Sequence, residues 1–176
     1  MALSSKLPKD PDPSYTKAKN AALRLLTYRS RSEKEIERRL QGRFTDDVIQ
    51  RTLESLKNQR LVDDAAFAQQ WREQRDRFRP RGPALIRQEL RKLGVDREVI
   101  QDALSEFDSA AGAYKAGSKY AAKLSVEDGT AFRRKLGGFL QRRGFGGEVL
   151  GQTVERIWRE LLDPLHSGVD GESQYD

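Results

Sequence analysis

Arginine is the residue type in this chain whose spacing could do chemistry. Arg72, Arg75 and Arg79 fall at i, i+3 and i+7, which places them on one helix face, and Arg77 and Arg81 flank them. Arg87 and Arg91 lie one turn apart on the helix expected next, with Glu73, Asp76 and Glu89 as the opposing acids. A second segment holds Arg133, Arg134, Lys135, Arg142 and Arg143, with no acid between Ala131 and Arg143. A guanidinium is planar and presents a fork of donors that matches phosphate and carboxylate, whereas lysine would serve for solubility alone. Such clusters predict salt-sensitive contacts to a phosphate backbone or an acidic surface, not reading of base sequence. Trp71, Phe78, Phe132 and Phe139 are interleaved with them, but at helical spacing they read as core residues, not base-stacking platforms.

Other chemistry is poorly supplied. There are no cysteines, so disulfides and thiolate metal sites are excluded. The single histidine, His166, falls in an expected tail, which leaves no Ser-His-Asp set or histidine cluster for the body. Glu33–Glu37, Asp63–Asp64 and Glu89 sit among basic residues and read as helix caps and surface ion pairs. Gly112-Ala-Tyr-Lys-Ala-Gly117-Ser118-Lys119 has the glycine spacing of a P-loop, but its last two residues are in the wrong order and no strand precedes it. The expectation is a binding protein, not an enzyme, with no cofactor, no metal and no catalytic residue. A net charge of +6 and a pI near 9.6 favour nucleic acid or an acidic protein surface as partner. No apolar stretch approaches the roughly 20 residues of a membrane span, and residues 1–14 carry no signal core, so the cytoplasm is the expected location.

The arginines need helices to position them, and the chain supplies helices in a pattern that recurs about every fifty residues. Ile36 and Leu40 align with Ile86 and Leu90, and then with Leu136 and Leu140. A turn follows each pair, and its apolar residue (Phe44, Val95, Phe145) occupies a staple position ahead of the next helix. Thr45 and Asp96 are N-cap candidates there. Gly94 and Gly144 suit a left-handed position after the helix; the first copy lacks that residue and is one shorter. In the helix that follows, Val48, Ile49, Leu53 and Leu56 match Val99, Ile100, Leu104 and Phe107, and these match Val149, Leu150, Val154 and Ile157.

A less regular first helix completes each unit, on stripes such as Ala18, Ala22, Leu23 and Leu26, or Phe67, Ala68 and Trp71. Asp63 or Asp64 should cap the second of these. No segment has the alternation of a strand. The fold class expected is all-α: three tandem three-helix repeats forming an elongated, curved array. The repeats span residues 15–61, 62–107 and 108–162, between disordered tails at 1–14 and 163–176. With helices of about 15 residues and about 22 Å, the body would be about 60–70 Å long.

One stretch is more specific. Leu61-Val-Asp-Asp-Ala-Ala-Phe67-Ala, then Arg75, then Gly82-Pro83-Ala-Leu-Ile86-Arg-Gln-Glu89-Leu90, then Gly94-Val95, resembles the central pattern of the RecX family, bacterial regulators of the RecA recombinase. The resemblance extends over roughly residues 18–160. It departs at Leu85, where the family usually has a basic residue, and at Leu93, where it usually has lysine. The resemblance implies a protein that lodges in the groove of the RecA–DNA filament. It implies inhibition of filament growth, ATP hydrolysis, strand exchange and coprotease activity in DNA repair and the SOS response.

On that reading Arg72, Arg75, Arg79, Arg87, Arg91, Arg133, Arg134, Arg142 and Arg143 are the expected contacts to filament or DNA. Asp63, Phe67, Trp71, Gly82, Ile86, Leu90 and Gly94 are expected to be structural. Many weak contacts along one body would add through effective concentration. Two other readings fit the composition. One is a direct, non-specific binder of single- or double-stranded DNA with helix-turn-helix-like repeats. The other is a helical scaffold for an acidic protein. Nothing in the sequence sets an oligomeric state.

Overall fold

The computed structural model describes residues 12–163, and their helices begin where the sequence offers an oxygen to the first free amides. Asp12, Ser32, Asp63, Asp108 and Asp128 each accept from a first-turn amide. These open α1 (Pro13–Tyr28), α2 (Glu33–Leu40), α4 (Asp64–Phe78), α7 (Ser109–Ala121) and α8 (Gly129–Arg142). Between them lie α3 (Asp46–Asn58), α5 (Pro83–Lys92), α6 (Arg97–Leu104) and α9 (Gly147–Leu162). No described residue is in a strand.

The tail expectation ran to residue 14, but Pro13 and Ser14 already form the first turn of α1. Proline has no amide to leave unpaired at that position, and Asp12 accepts from Ser14. Asp163, placed in the other expected tail, is the C-cap of α9, and residues 1–11 and 164–176, with His166, lie outside the described residues.

Helices α1–α3, α4–α6 and α7–α9 form three units, each around its own apolar cluster. The paired positions found by periodicity are the centres of these clusters: Ile36 and Leu40, Ile86 and Leu90, Leu136 and Leu140 have no exposed surface. Phe67 is buried beside them, and Trp71 packs half-buried against it. Gly94 and Gly144 both take φ +85°. In each case the glycine amide bonds three residues back and the next amide bonds to Leu90 or Leu140, which is a Schellman closure. In the first unit Gly42, φ +76°, makes the tighter turn. Arg60 closes α3 in the same manner as the two glycines, but with a side chain at φ +54°.

Two capping expectations differ in detail. Thr45 and Asp96 take the extended cap conformation, yet neither side chain bonds the helix. The staple residues hold these entries instead: Val95 is buried and Phe44 packs against the first core. Phe107 also lies outside its expected helix. Helix α6 ends at Leu104 because Asp108 already caps α7, on Ala110 and Ala111. The P-loop-like segment is helical throughout. Its Gly117 lets α7 approach α9, since a Cβ there would lie 2.7 Å from Ile157 Cδ1.

Among the described residues, the hydrogen bonds that cross between units join the first to the second and the second to the third. Ser32 Oγ donates to the Leu93 carbonyl at 2.5 Å. Fifty positions on, the Gly82 amide donates to the Arg143 carbonyl at 2.7 Å. Each joint therefore seats the start of one unit's middle helix on the glycine turn of the next. A Cβ on Gly82 would run into the Gly144 carbonyl, and one on Gly94 into Lys34. Leu93 supplies the carbonyl at the first joint, and Leu85 packs on Gly144 at the second.

Asp63 caps its own helix through Ala66, whereas Asp64 reaches back to the first unit and accepts from the Glu33 amide at 2.8 Å. Burial, with the Glu33 and Asp96 carboxylates nearby, raises the Asp64 carboxyl above its ordinary value, and the Glu33 amide opposes that rise.

Candidate functional site

The structure divides the nine arginines. Arg72 donates to the Ala103 carbonyl at 2.9 Å and so satisfies the end of α6. Arg75 lies over the Trp71 ring at 4.3 Å and donates to Glu89 at 2.8 Å. Trp71 Nε1 donates to the same carboxylate oxygen, and Arg81 pairs with the other. Glu89 is thus no surface residue; its side chain is 14% exposed and ties together α4, α5 and the loop between them. Arg133 holds Glu155 through two bonds, 2.6 and 3.2 Å, and covers Trp158. These three arginines are occupied within their own units.

The other six lie at the surface or at a joint. Arg91, Arg134 and Arg142 are exposed and Arg87 is half-exposed, and none of the four has an ion pair among the described residues. All four lie on middle helices, α5 and α8. Arg79 and Arg143 meet across the joint between the second and third units. Arg143 donates to the Pro80 carbonyl at 3.4 Å and stacks on Phe139.

That joint holds a cleft of about 250 Å³, lined by Arg77, Phe78, Arg79, Pro80, Lys115, Ala116, Lys119, Tyr120, Lys123, Phe139 and Arg143. Six of these side chains are cationic and none is acidic. Lys115 and Lys119 are one turn apart on α7, and Lys123 follows its end. Tyr120 and Phe139 stack with ring centres 4.0 Å apart. Phe78, expected in the core, is instead 72% exposed at the end of α4. The helix face that would have buried it is spent on Ala68 and Trp71, and the chain turns away at Arg79.

Sequence reasoning missed the three lysines. Lys115 and Lys119 lie in the segment set aside as a false P-loop and Lys123 one turn beyond it, and only the fold brings them to Arg79. A signal for Phe78 did exist. Tyr28-Arg-Ser-Arg-Ser and Phe78-Arg-Pro-Arg-Gly match position for position, and Tyr28 is 84% exposed.

Burial, together with Arg75, Arg143 and Arg79, pulls the Arg81 guanidinium below its ordinary value. Among the described residues no group of histidine, cysteine or carboxylate side chains could hold a metal ion. No described helix is long and apolar enough to cross a membrane.

An all-α chain of three joined three-helix units, with basic side chains at the surface and between units, is a tandem helical repeat protein. Models of the first, second and third three-helix domains of RecX match residues 18–56, 63–104 and 108–152. Regulatory protein RecX of Mycolicibacterium smegmatis is 41% identical over 153 residues, covering 82% of this chain and 81% of that one. Regulatory protein RecX of Chlorobium phaeobacteroides is 37% identical over 144 residues, covering 81% and 95%. The crystal structure of RecX from Lactobacillus salivarius superposes with a TM-score of 0.75 at 25% identity, over 82% of this chain and 96% of that one. The chain belongs to the RecX family.

Proposed function

We propose that this chain binds the RecA–DNA filament in the cytoplasm and restrains it, acting as a regulator and not as a catalyst. The match of all three units to RecX domains carries the reading. The geometry supports it with Arg87, Arg91, Arg134 and Arg142, which lie on α5 and α8 without an ion pair among the described residues and can meet phosphate or carboxylate. Arg72, Arg75 and Arg133 leave the contact set, because their guanidinium groups are already bonded within their own units.

RecA's DNA-dependent ATP hydrolysis, measured with substoichiometric chain over a range of salt, tests the proposal. Inhibition that weakens when Arg87, Arg91, Arg134 and Arg142 are replaced by alanine is expected. Unchanged hydrolysis at every salt concentration overturns it.

A further inference from the structure

The joint between the second and third units has a counterpart between the first and second, and the two differ in a way that points to a ligand. Arg29, Ser30, Phe67, Gln70, Trp71 and Gln74 line a smaller cleft of about 90 Å³ at the first joint. Its one cation is neutralised: Glu35 holds Arg29 through bonds of 3.1 and 2.5 Å.

In the second unit the position matching Glu35 is Leu85, so Arg79, which matches Arg29, has no carboxylate to hold it. Where the first cleft shows the amides Gln70 and Gln74, the second shows Lys115, Lys119 and Lys123. Asp76 turns toward Gly112, and Glu73 lines the adjoining hollow with Arg77 and Phe78, not the cleft itself. Lys115 donates to the Asp76 and Arg77 carbonyls and Arg143 to the Pro80 carbonyl, which leaves the mutual repulsion of Arg79, Lys119 and Lys123 unmatched by a carboxylate among the described residues. A bound polyanion offsets it.

The rim adds the second half of the ligand. Phe78 is exposed beside the cations, and a base can reach such a ring only when it is free of a duplex stack. We propose that this cleft is a nucleotide site. The phosphates lie among Arg79, Lys119 and Lys123, and the base stacks on Phe78. The chemistry is shared by a single strand of nucleic acid and a free nucleoside triphosphate. The inference does not depend on the filament reading, since it concerns the chain alone.

Fluorescence anisotropy on the whole chain, with no recombinase present, tests it in two arms: a labelled fifteen-residue deoxythymidine strand (a length of about one site) and a fluorescent nucleoside triphosphate. Saturable binding in either arm supports the site and identifies the source. In that arm the double variant K119E/K123E should weaken binding by about tenfold or more at low salt. Phe78→Ala should weaken it by about fivefold. The control Q70E/Q74E, at the matching joint, should change it less than about twofold. Circular dichroism should show all three variants folded, as the altered side chains are exposed. Absence of saturable binding in both arms overturns the proposal. So does an equal loss in the control, which would mark a diffuse effect of net charge, or full binding by Phe78→Ala and K119E/K123E alike.

Discussion

The first and second joints of this molecule place a donor at the same position of the repeat and a carbonyl at the same position of the next. At the first, the donor is the buried Ser32 hydroxyl; at the second, it is the Gly82 backbone amide. The side-chain version leaves the two backbones apart. The backbone version requires them to touch, so glycine is needed on one side at Gly82 and on the other at Gly144. Around these joints the residues diverge: one rim is neutral, the other strongly basic. The repeat thus fixes how units meet, and the residues that the joint does not need are left to determine what it can bind.

The comparison is most strongly challenged at Gly82. Gly82→Ala puts a methyl group against the Gly144 carbonyl and should cost about 3 kcal/mol or more in urea unfolding, because neither backbone can yield without opening the joint. A cost below about 1 kcal/mol would show that the second joint is loose.

Glu89→Ala comes next, at about 2 kcal/mol, since it leaves Arg75, Arg81 and the Trp71 N–H without their acceptor in a partly buried place. Glu35→Ala at the first joint, where Arg29 and Arg31 share the carboxylate, should cost less, because Arg29 is more exposed. Ser32→Ala should cost about 1–2 kcal/mol, as it removes both the bond to Leu93 and the cap on α2.

Asp64 distinguishes cap from charge at the first joint. Asp64→Ala should lose about 1 kcal/mol, whereas Asp64→Asn keeps an acceptor for the Glu33 amide. The raised folded value means that the folded state holds this proton more firmly than the unfolded chain. The Asp64 charge therefore detracts from stability above the raised value. That penalty fades as pH falls from the raised value to the ordinary one. Wild type should gain on Asp64→Asn as pH is lowered through that window, by thermal unfolding; a constant difference would remove the burial argument. The smallest effect is at the end of α3, where Arg60→Gly should stabilise by about 0.5–1 kcal/mol, by relieving the left-handed conformation that Gly94 and Gly144 adopt freely.

What could be read from the sequence is what lies close along it. Helical spacing located Ile36, Ile86 and Leu136, and the glycine turns at Gly94 and Gly144 followed from the need for positive φ. The arrangement between units could not be read in this way. Asp64 and Glu33 are 31 positions apart, and Arg143 and Pro80 are 63 apart, with no local pattern linking either pair. The arginines were found by density, but density does not tell Arg75, locked on Glu89, from Arg91 in solvent. Lys115, Lys119 and Lys123 look like ordinary surface lysines until α7 is laid beside α4.

The joints also set a timetable for synthesis. Ser32 must wait for a carbonyl 61 residues further along the chain, and Gly82 waits over the same interval. With α3 ending at Asn58 and α6 at Leu104, and at about 5–20 residues per second, each unit would be finished about 2–8 s before the partner that closes its joint is made. During that interval the Ser32 hydroxyl and the Gly82 amide remain hydrated and the unit is only as stable as its own small core. A ribosome that stalls between the second and third units would present Arg79 and Phe78 to the cell before the lysines that complete their cleft exist.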